Sequence, residues 1–154
     1  MRSKIRLFIF WIISITTFLF LKTSAQTNNA DAVFLKVTKE YQLNPDGSVN
    51  FHYSDKIKYL THYSFHYLLG ETPVTYNTKY QKVKVNYART TMSDGKIVQS
   101  PANAYNEILP GFAANAPDFN HIRTLVITHT GLEKNAVAEV DYEVSSDKEF
   151  YPEL

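Results

Sequence analysis

The stretch that decides the fold runs from Asn120 to Ser145 and reads NHIRTLVITHTGLEKNAVAEVDYEVS. Its second half alternates, with apolar side chains on one side, at Ala136, Ala138, Val140, Tyr142 and Val144, and polar ones on the other, at Glu139, Asp141, Glu143 and Ser145. A period of two predicts a strand with one buried and one solvated face. Residues 122–130 are rich in β-branched side chains and predict a hairpin partner, with the turn at Gly131.

The first 25 residues have the three parts of a secretory signal peptide. Three basic residues precede an apolar core of 15 residues, Leu7 to Leu21, and small residues end at Ala25. An uncleaved membrane anchor is the alternative, but spanning a bilayer takes about 20 apolar residues. The pattern therefore predicts cleavage after Ala25, export to the periplasm or cell surface, and no stable membrane insertion afterwards.

The charge balance changes once this leader is removed. All four leader charges are basic, so 16 Lys and Arg become 12 against 15 Asp and Glu, a formal net charge of −3. A mildly acidic chain argues against nucleic acid as a partner. The chain has no Cys, so stability must come from packing without disulfides.

The remainder predicts a disordered lead-in over 26–32 and one domain over 33–154. Two hairpins are expected, one with its turn at Asn44–Gly47 and one with a two-residue turn within Ser93–Lys96. Lys56 to Leu69 is expected to be irregular or partly helical, and Thr72 to Asn77 a short strand. Ser100 and Pro101 resemble a helix start, which predicts two helical turns over Ala102 to Leu109.

These elements predict a mainly β protein, an antiparallel β-sandwich with a short helical connector. In the first strand one face is expected to hold Val33, Leu35, Val37, Tyr41 and Leu43. Further on, the side chains expected to face inward are Val83, Val85 and Tyr87.

Several short runs stand out along the domain: Tyr59–His62, Gly70–Thr72, Tyr76–Asn77, Asp94–Val98, Asn106–Pro110, Ala116–Arg123 and Thr128–Glu133. Together they resemble the domain-of-unknown-function 3857 family. The resemblance implies the N-terminal β domain of an exported bacterial envelope protein, usually followed by a transglutaminase-like core. The family has no established activity. Its β domain normally continues past the position of Tyr151, so the resemblance implies a domain incomplete at its C-terminus.

This incompleteness carries a structural expectation. If strands are missing, the segment Ala136 to Ser145 becomes an edge strand with unpaired backbone groups. The apolar face of Val140, Tyr142 and Val144 would then be partly uncovered, and the chain weakly stable, dimeric or aggregating.

Aromatic side chains supply the candidate partner contacts. The long connector from Pro101 to Asn120 and the aromatic segment before Gly70 are the best candidates for a binding surface, through Tyr63, Tyr67, Tyr105, Phe112 and Phe119. The connector could equally cover an open end of the sandwich. A tyrosine-rich strip formed by Tyr53, Tyr59, Tyr63, Tyr67, Tyr76, Tyr80 and Tyr87 is a further alternative, although tyrosine is also an ordinary strand residue.

Polar side chains offer little for catalysis. His62 and His66 have a spacing that can bind metal on a helix, but Zn²⁺ sites usually need three or four protein ligands. Glu139, Asp141 and Glu143 are explained by a solvated strand face. We therefore expect no metal, no cofactor and no catalytic residue, and, since the Cys nucleophile of a transglutaminase-like core is absent, no enzyme.

The function expected from the sequence is a non-catalytic exported module that binds or positions an envelope protein, a peptide or a glycan. A transglutaminase-like domain is expected downstream in intact relatives. One alternative is a stand-alone sugar- or peptide-binding module that uses a tyrosine-rich face. A hydrolase built from His and carboxylate groups is the weakest alternative, because no catalytic motif of that kind is present.

Overall fold

The computed structural model describes residues 30–150. The expected leader over 1–25, residues 26–29 of the expected lead-in and residues 151–154 lie outside the described part. Its strands are β1 (Ala32–Leu43), β2 (Val49–Tyr59), β3 (Glu71–Asn77), β4 (Gln81–Thr91), β5 (Ile97–Gln99), β6 (Tyr105–Ile108), β7 (Ile122–Thr128) and β8 (Val137–Ser146). A five-stranded sheet in the order β1-β2-β8-β4-β5 stands beside a three-stranded sheet in the order β3-β7-β6, and all pairs are antiparallel. The predicted mainly β, sandwich-like fold is confirmed.

The strand β8 lies at the centre of the larger sheet, paired with β2 on one side and β4 on the other. The expectation of an edge strand is therefore wrong for β8. The expected hairpin between residues 122–130 and β8 is wrong as well, because β7 belongs to the smaller sheet. The alternation is confirmed: Val140, Tyr142 and Val144 are all buried.

Two turns of the same kind close the hairpins β1–β2 and β4–β5. In the first, the Asn44 N–H donates to the Ser48 carbonyl at 2.8 Å and the Gly47 N–H to the Asn44 carbonyl at 3.0 Å. In the second, Met92 and Lys96 make the same closing bond at 2.8 Å. Each loop thus has three residues and ends in a glycine with positive φ, the geometry of a type I turn followed by a left-handed residue. The two-residue turn expected at the second site is one residue too short.

The core lies between the inner faces of the two sheets. Val74 and Ile127 from the smaller sheet pack in one cluster with Val140 and Tyr142 of β8. A second cluster, around Ile57 and Tyr59, lies at the end of the sandwich near the short helical segment. Burying aliphatic side chains of this size stabilises the fold by about 1.5–3 kcal/mol each.

Irregular pairing in two strands reverses the predicted side-chain directions. A register shift between Val85 and Tyr87 brings Ala88 and Thr90 inward, where both are buried, and leaves Tyr87 exposed. A similar shift between Phe34 and Lys36 in β1 separates Val33 from the face of Val37. Such bulges add one residue to one strand, which a strict period of two does not predict.

The inward side chains of β1 are largely uncovered. Tyr41 remains 72% exposed and Val37 48% exposed. The larger sheet has five strands and the smaller one three, so the smaller sheet cannot cover the inner face as far as β1.

The helical segments are short. Ser64–Leu68 forms a π-helical turn, in agreement with the partly helical character expected before Gly70, although Lys56 to Tyr59 still belong to β2. The predicted two-turn helix over 102–109 is wrong: only Ala102–Ala104 form a 3₁₀ turn, and β6 follows. Residues 105–108 gain a ladder of backbone hydrogen bonds with β7, which outweighs weak local helix propensity. The other helical turns are Gly111–Ala113, Pro117–Phe119 and Lys148–Phe150.

The start of the described chain is held in place. Asp31, within the expected lead-in, accepts hydrogen bonds at its carbonyl from the Leu60 and Thr61 N–H groups at 2.9 and 3.2 Å. Its carboxylate also accepts one from the Thr61 hydroxyl at 2.7 Å. Between residues 30 and 150, no helix is long and apolar enough to cross a membrane.

Candidate functional site

The predicted contact residues Tyr63 and Tyr67 lie together on the π-helical turn and its N-terminal flank. Their ring centroids are 5.3 Å apart, and both side chains are exposed. Tyr67 also lines a recess of about 390 Å³ together with Thr128, at the C-terminal end of β7.

The other predicted contact residues lie elsewhere. Tyr105 of β6 is half-buried against the core, whereas Phe112 and Phe119 are exposed on the 3₁₀ turns between β6 and β7. Because β6 and β7 are antiparallel, those turns lie beside Ile122, at the opposite end of β7 from Tyr67. Seven strand residues separate the two ends by about 20 Å. The five aromatic residues therefore do not form one surface.

The tyrosine-rich strip is not formed as a single exposed face. Tyr59 is fully buried, and its hydroxyl donates to the Leu69 carbonyl at 2.7 Å. Tyr53 packs inside the sandwich against Tyr142, with ring centroids 5.1 Å apart. These tyrosines belong to the core, as β-strand aromatics often do.

The histidines fall into different environments. The rings of His62 and His66 are 5.1 Å apart on the helical turn. Within residues 30–150, no group of three or more His, Cys, Asp or Glu side chains is arranged to hold a metal ion.

His129 is the most deeply placed imidazole. It is buried at the end of β7, with its Nε2 atom 2.9 Å from the Thr72 hydroxyl. Its Nδ1 atom is also buried and has no hydrogen-bond partner among residues 30–150. Burial lowers its pKa to about 4. A hydroxyl beside an imidazole resembles a nucleophile and its base, but an imidazole with so low a pKa is a weak base at neutral pH.

The carboxylates on the outer face of β8 are engaged in contacts with neighbouring strands. Glu139 pairs with Lys56 at 2.6 Å and with Arg89 at 2.5 Å. Asp141 lies 3.0 Å from His52 Nε2, and this contact raises the His52 pKa. These carboxylates belong to a cross-strand charge network on the outer face, the role expected from the alternation.

The uncovered inner face of β1 and β2 forms a groove beside β3, which we call the β3 groove. Two adjoining depressions make it up, and they share Pro73 and Tyr142. The first, of about 200 Å³, is lined in part by Tyr41, Phe51 and Val144. The second, of about 250 Å³, is lined in part by Phe34, Asp55, Ile57, Leu69 and Glu71.

Asp55 is a buried acidic side chain in the wall of the second depression. It is only 8% exposed, and its carboxylate accepts a hydrogen bond from the Tyr53 hydroxyl at 2.9 Å. Burial raises its pKa. Among residues 30–150, no Lys, Arg or His nitrogen lies within 4.0 Å of this carboxylate. Sequence reasoning missed Asp55, although it occupies the next inward position after Val49, Phe51 and Tyr53.

A crystal structure of a putative protease from Parabacteroides distasonis is similar to this chain, with 37% sequence identity and a TM-score of 0.74. The similarity covers 76% of this chain but 23% of that one, so the chain spans about a quarter of the solved protein. A CBM3a-L domain from a scaffoldin of the Clostridium thermocellum cellulosome matches at 12% identity and a TM-score of 0.40, covering 75% of this chain and 68% of that one. That likeness is too distant to bear on function.

No curated protein matches the chain. A family model for a domain of unknown function with solved structure matches residues 45–153, a range that starts in the β1–β2 turn and includes β2 to β8. The resemblance read from the sequence is thereby confirmed, and the chain belongs to the DUF3857 family.

Proposed function

We propose that this chain is a non-catalytic, exported β-sandwich module with a binding or positioning role. The observation that carries the proposal is the match to one quarter of a much longer solved chain at 37% identity. In that solved protein the matched domain is one part of a larger chain, and we expect its role to be binding or positioning for the other parts. The chemistry would then belong to other parts, of which a transglutaminase-like core is our expectation from the family resemblance.

The polar groups of the described residues are consistent with a role outside catalysis. His129 is the imidazole best placed beside a hydroxyl, and its low pKa makes it a poor general base. The chain contains no Cys to act as a nucleophile. The basic start, apolar core and small residues of the leader support the export component of the proposal.

An amide-hydrolysis assay tests the absence of catalysis. Purified residues 26–154 should release no product from a generic peptide-amide substrate above the level of buffer. His129→Ala serves as the matched variant, because among residues 30–150 it removes the one imidazole that lies within hydrogen-bonding distance of a hydroxyl. Turnover that survives repurification and disappears in His129→Ala would refute the proposal.

The uncovered inner face favours a binding role. Phe34, Val37, Tyr41 and Leu43 all present large apolar side chains to solvent along one strand. Contiguous exposed apolar surface of this kind commonly marks a site of protein association.

A further inference from the structure

The β3 groove has both elements that a polypeptide ligand requires, a free strand edge and side-chain depressions beside it. We propose that it binds an extended segment of a partner polypeptide, which pairs with β3 and places a Lys or Arg side chain at Asp55. This inference rests on the proposed binding role and names the class of ligand. Strand addition to a free sheet edge is an established mode of peptide recognition.

The backbone of β3 is oriented for such pairing. The Gly70 carbonyl accepts from the His129 N–H at 3.0 Å, and the Thr78 N–H donates to the His121 carbonyl at 2.8 Å. Hydrogen-bonded positions alternate in an antiparallel pair. The backbone N–H and C=O groups of even-numbered β3 residues therefore point to β7, and those of odd-numbered residues point to the groove. No strand pairs with β3 on the groove side within residues 30–150.

The residues whose backbone groups point to the groove are Glu71, Pro73, Thr75 and Asn77. Pro73 has no N–H, and this edge position therefore costs no ladder hydrogen bond. The Asn77 N–H already donates to the Gln81 side chain at 2.9 Å, which closes that end. The N–H groups of Glu71 and Thr75, and the carbonyls of Glu71, Pro73 and Thr75, remain directed at the groove.

The charge of the groove selects the ligand. Asp55 lines the second depression, which has no Lys, Arg or His in its wall. Glu71 lines it as well, but its carboxylate already accepts a hydrogen bond from the Thr128 hydroxyl at 3.2 Å. Lys39 also lies on the inner face, with its Nζ over the Tyr53 ring, 5.9 Å from the ring centroid. The Asp55 carboxylate accepts hydrogen bonds from the Tyr53 hydroxyl and the Val140 backbone. No Lys, Arg or His of residues 30–150 forms an ion pair with it, and a basic side chain of the ligand would provide the missing cation.

The spacing of the depressions specifies the order of ligand side chains. The second depression lies beside Glu71 to Pro73 and the first beside Pro73 to Thr75, a step of two residues along β3. In a strand, residues i and i+2 share one face and lie about 7 Å apart. The preferred ligand therefore has a basic residue and an apolar residue separated by one position.

Binding of a synthetic peptide to residues 26–154, followed by amide chemical shifts in NMR, tests the assignment. The probe is acetyl-Thr-Lys-Thr-Val-Thr-amide, which places Lys and Val on one face. We expect shifts at Glu71, Thr75 and Asp55. A peptide with norleucine in place of Lys should bind at least tenfold more weakly. A peptide with Lys and Val adjacent should bind as weakly, because the two side chains then point in opposite directions.

Variants separate the Asp55 contact from general effects. Asp55→Asn should abolish the preference for Lys over norleucine, whereas Asp118→Asn, an exposed acid at the far end of the smaller sheet, should preserve it. If Asp55→Asn does not fold, binding of N-methylated peptides to the wild-type chain tests the strand pairing. Methylation of one alternate set of peptide amides should abolish binding by the wild-type chain, and methylation of the other set should not.

Three outcomes would overturn the inference. They are the absence of shifts at β3, equal affinity for the Lys and norleucine peptides, and self-association that shifts the same amides, which would make a second copy the occupant. Loss of the groove assignment would leave the non-catalytic role intact, because amide turnover tests that role separately.

Discussion

The buried imidazole of His129 gives the fold a pH dependence whose size follows from its environment. Burial lowers its pKa from 6.5 to about 4. Between these values the unfolded chain binds a proton that the folded chain does not, so the free energy of unfolding falls as the pH falls. At about 1.4 kcal/mol per pH unit, the contribution is roughly 3 kcal/mol. It is fully present above pH 6.5 and lost on descending to about pH 4.

The substitution His129→Gln isolates this contribution. An amide side chain can still reach the Thr72 hydroxyl but takes up no proton between pH 4 and 7. Urea unfolding of residues 26–154 across this range should show wild type losing about 3 kcal/mol more than the variant. The control is His62→Gln, which removes an exposed imidazole. In this variant the free energy of unfolding should change with pH as it does in wild type.

The reasoning would be refuted if wild type and His129→Gln lost the same free energy of unfolding between pH 7 and pH 4, within about 0.5 kcal/mol. Such a result would mean that the folded chain protonates His129 without cost, and hence that the side chain is not held in an apolar site.

Three further predictions concern other parts of the chain. The Thr90 hydroxyl is buried without a hydrogen-bond partner among residues 30–150. In the same urea assay, Thr90→Val should therefore leave the free energy of unfolding unchanged or raise it by up to about 1 kcal/mol. The control Thr124→Val breaks a hydrogen bond to Thr75 and should lower the free energy of unfolding by about 1 kcal/mol. Gly131 has a φ of +75° and Val98 atoms 3.3 Å from where a Cβ would lie. Gly131→Ala should therefore cost about 1–2 kcal/mol, and Gly111→Ala, with nothing within 4 Å, should cost nothing by thermal unfolding. Mass spectrometry of the protein from its native host should find Gln26 at the N-terminus, and an intact leader in the membrane fraction would contradict cleavage.

Local patterns predicted side-chain directions where the strands are regular. The alternation in β8 identified its buried face because a period of two depends only on neighbouring residues. The same reasoning failed at Tyr87, where one extra residue in the strand reverses the direction. A bulge of this kind is set by the pairing with β8 and has no mark in the local sequence.

Sheet membership could not be predicted from the same pattern. Residues 122–130 and β8 adjoin in sequence and have a turn between them, which favours a hairpin. Their apolar side chains instead pack against each other from opposite sheets, as Ile127 and Val140 do. Whether two strands pair edge to edge or stack face to face depends on the whole set of strands.

The candidate site was only partly accessible to sequence reasoning. Tyr63 and Tyr67 are exposed as expected, but their distance from Phe119 depends on the antiparallel order of β6 and β7. Asp55 could have been identified by extending the alternation of β2 by one step. The groove exists because the larger sheet has five strands and the smaller one three. This difference cannot be predicted from any single segment of the sequence.

The central place of β8 has a consequence for how the chain acquires its structure. Within residues 30–150, β8 is the last strand to be synthesised, yet it joins the β1–β2 hairpin to β4 and β5. The contact of His52 with Asp141 spans 89 residues of chain. Contacts this distant in sequence slow folding, because loop-closure entropy must be lost before they form. Until β8 emerges from the ribosome, the two hairpins remain separate and expose the strand edges that β8 will occupy. A chain cut before Val137 would keep those edges open permanently.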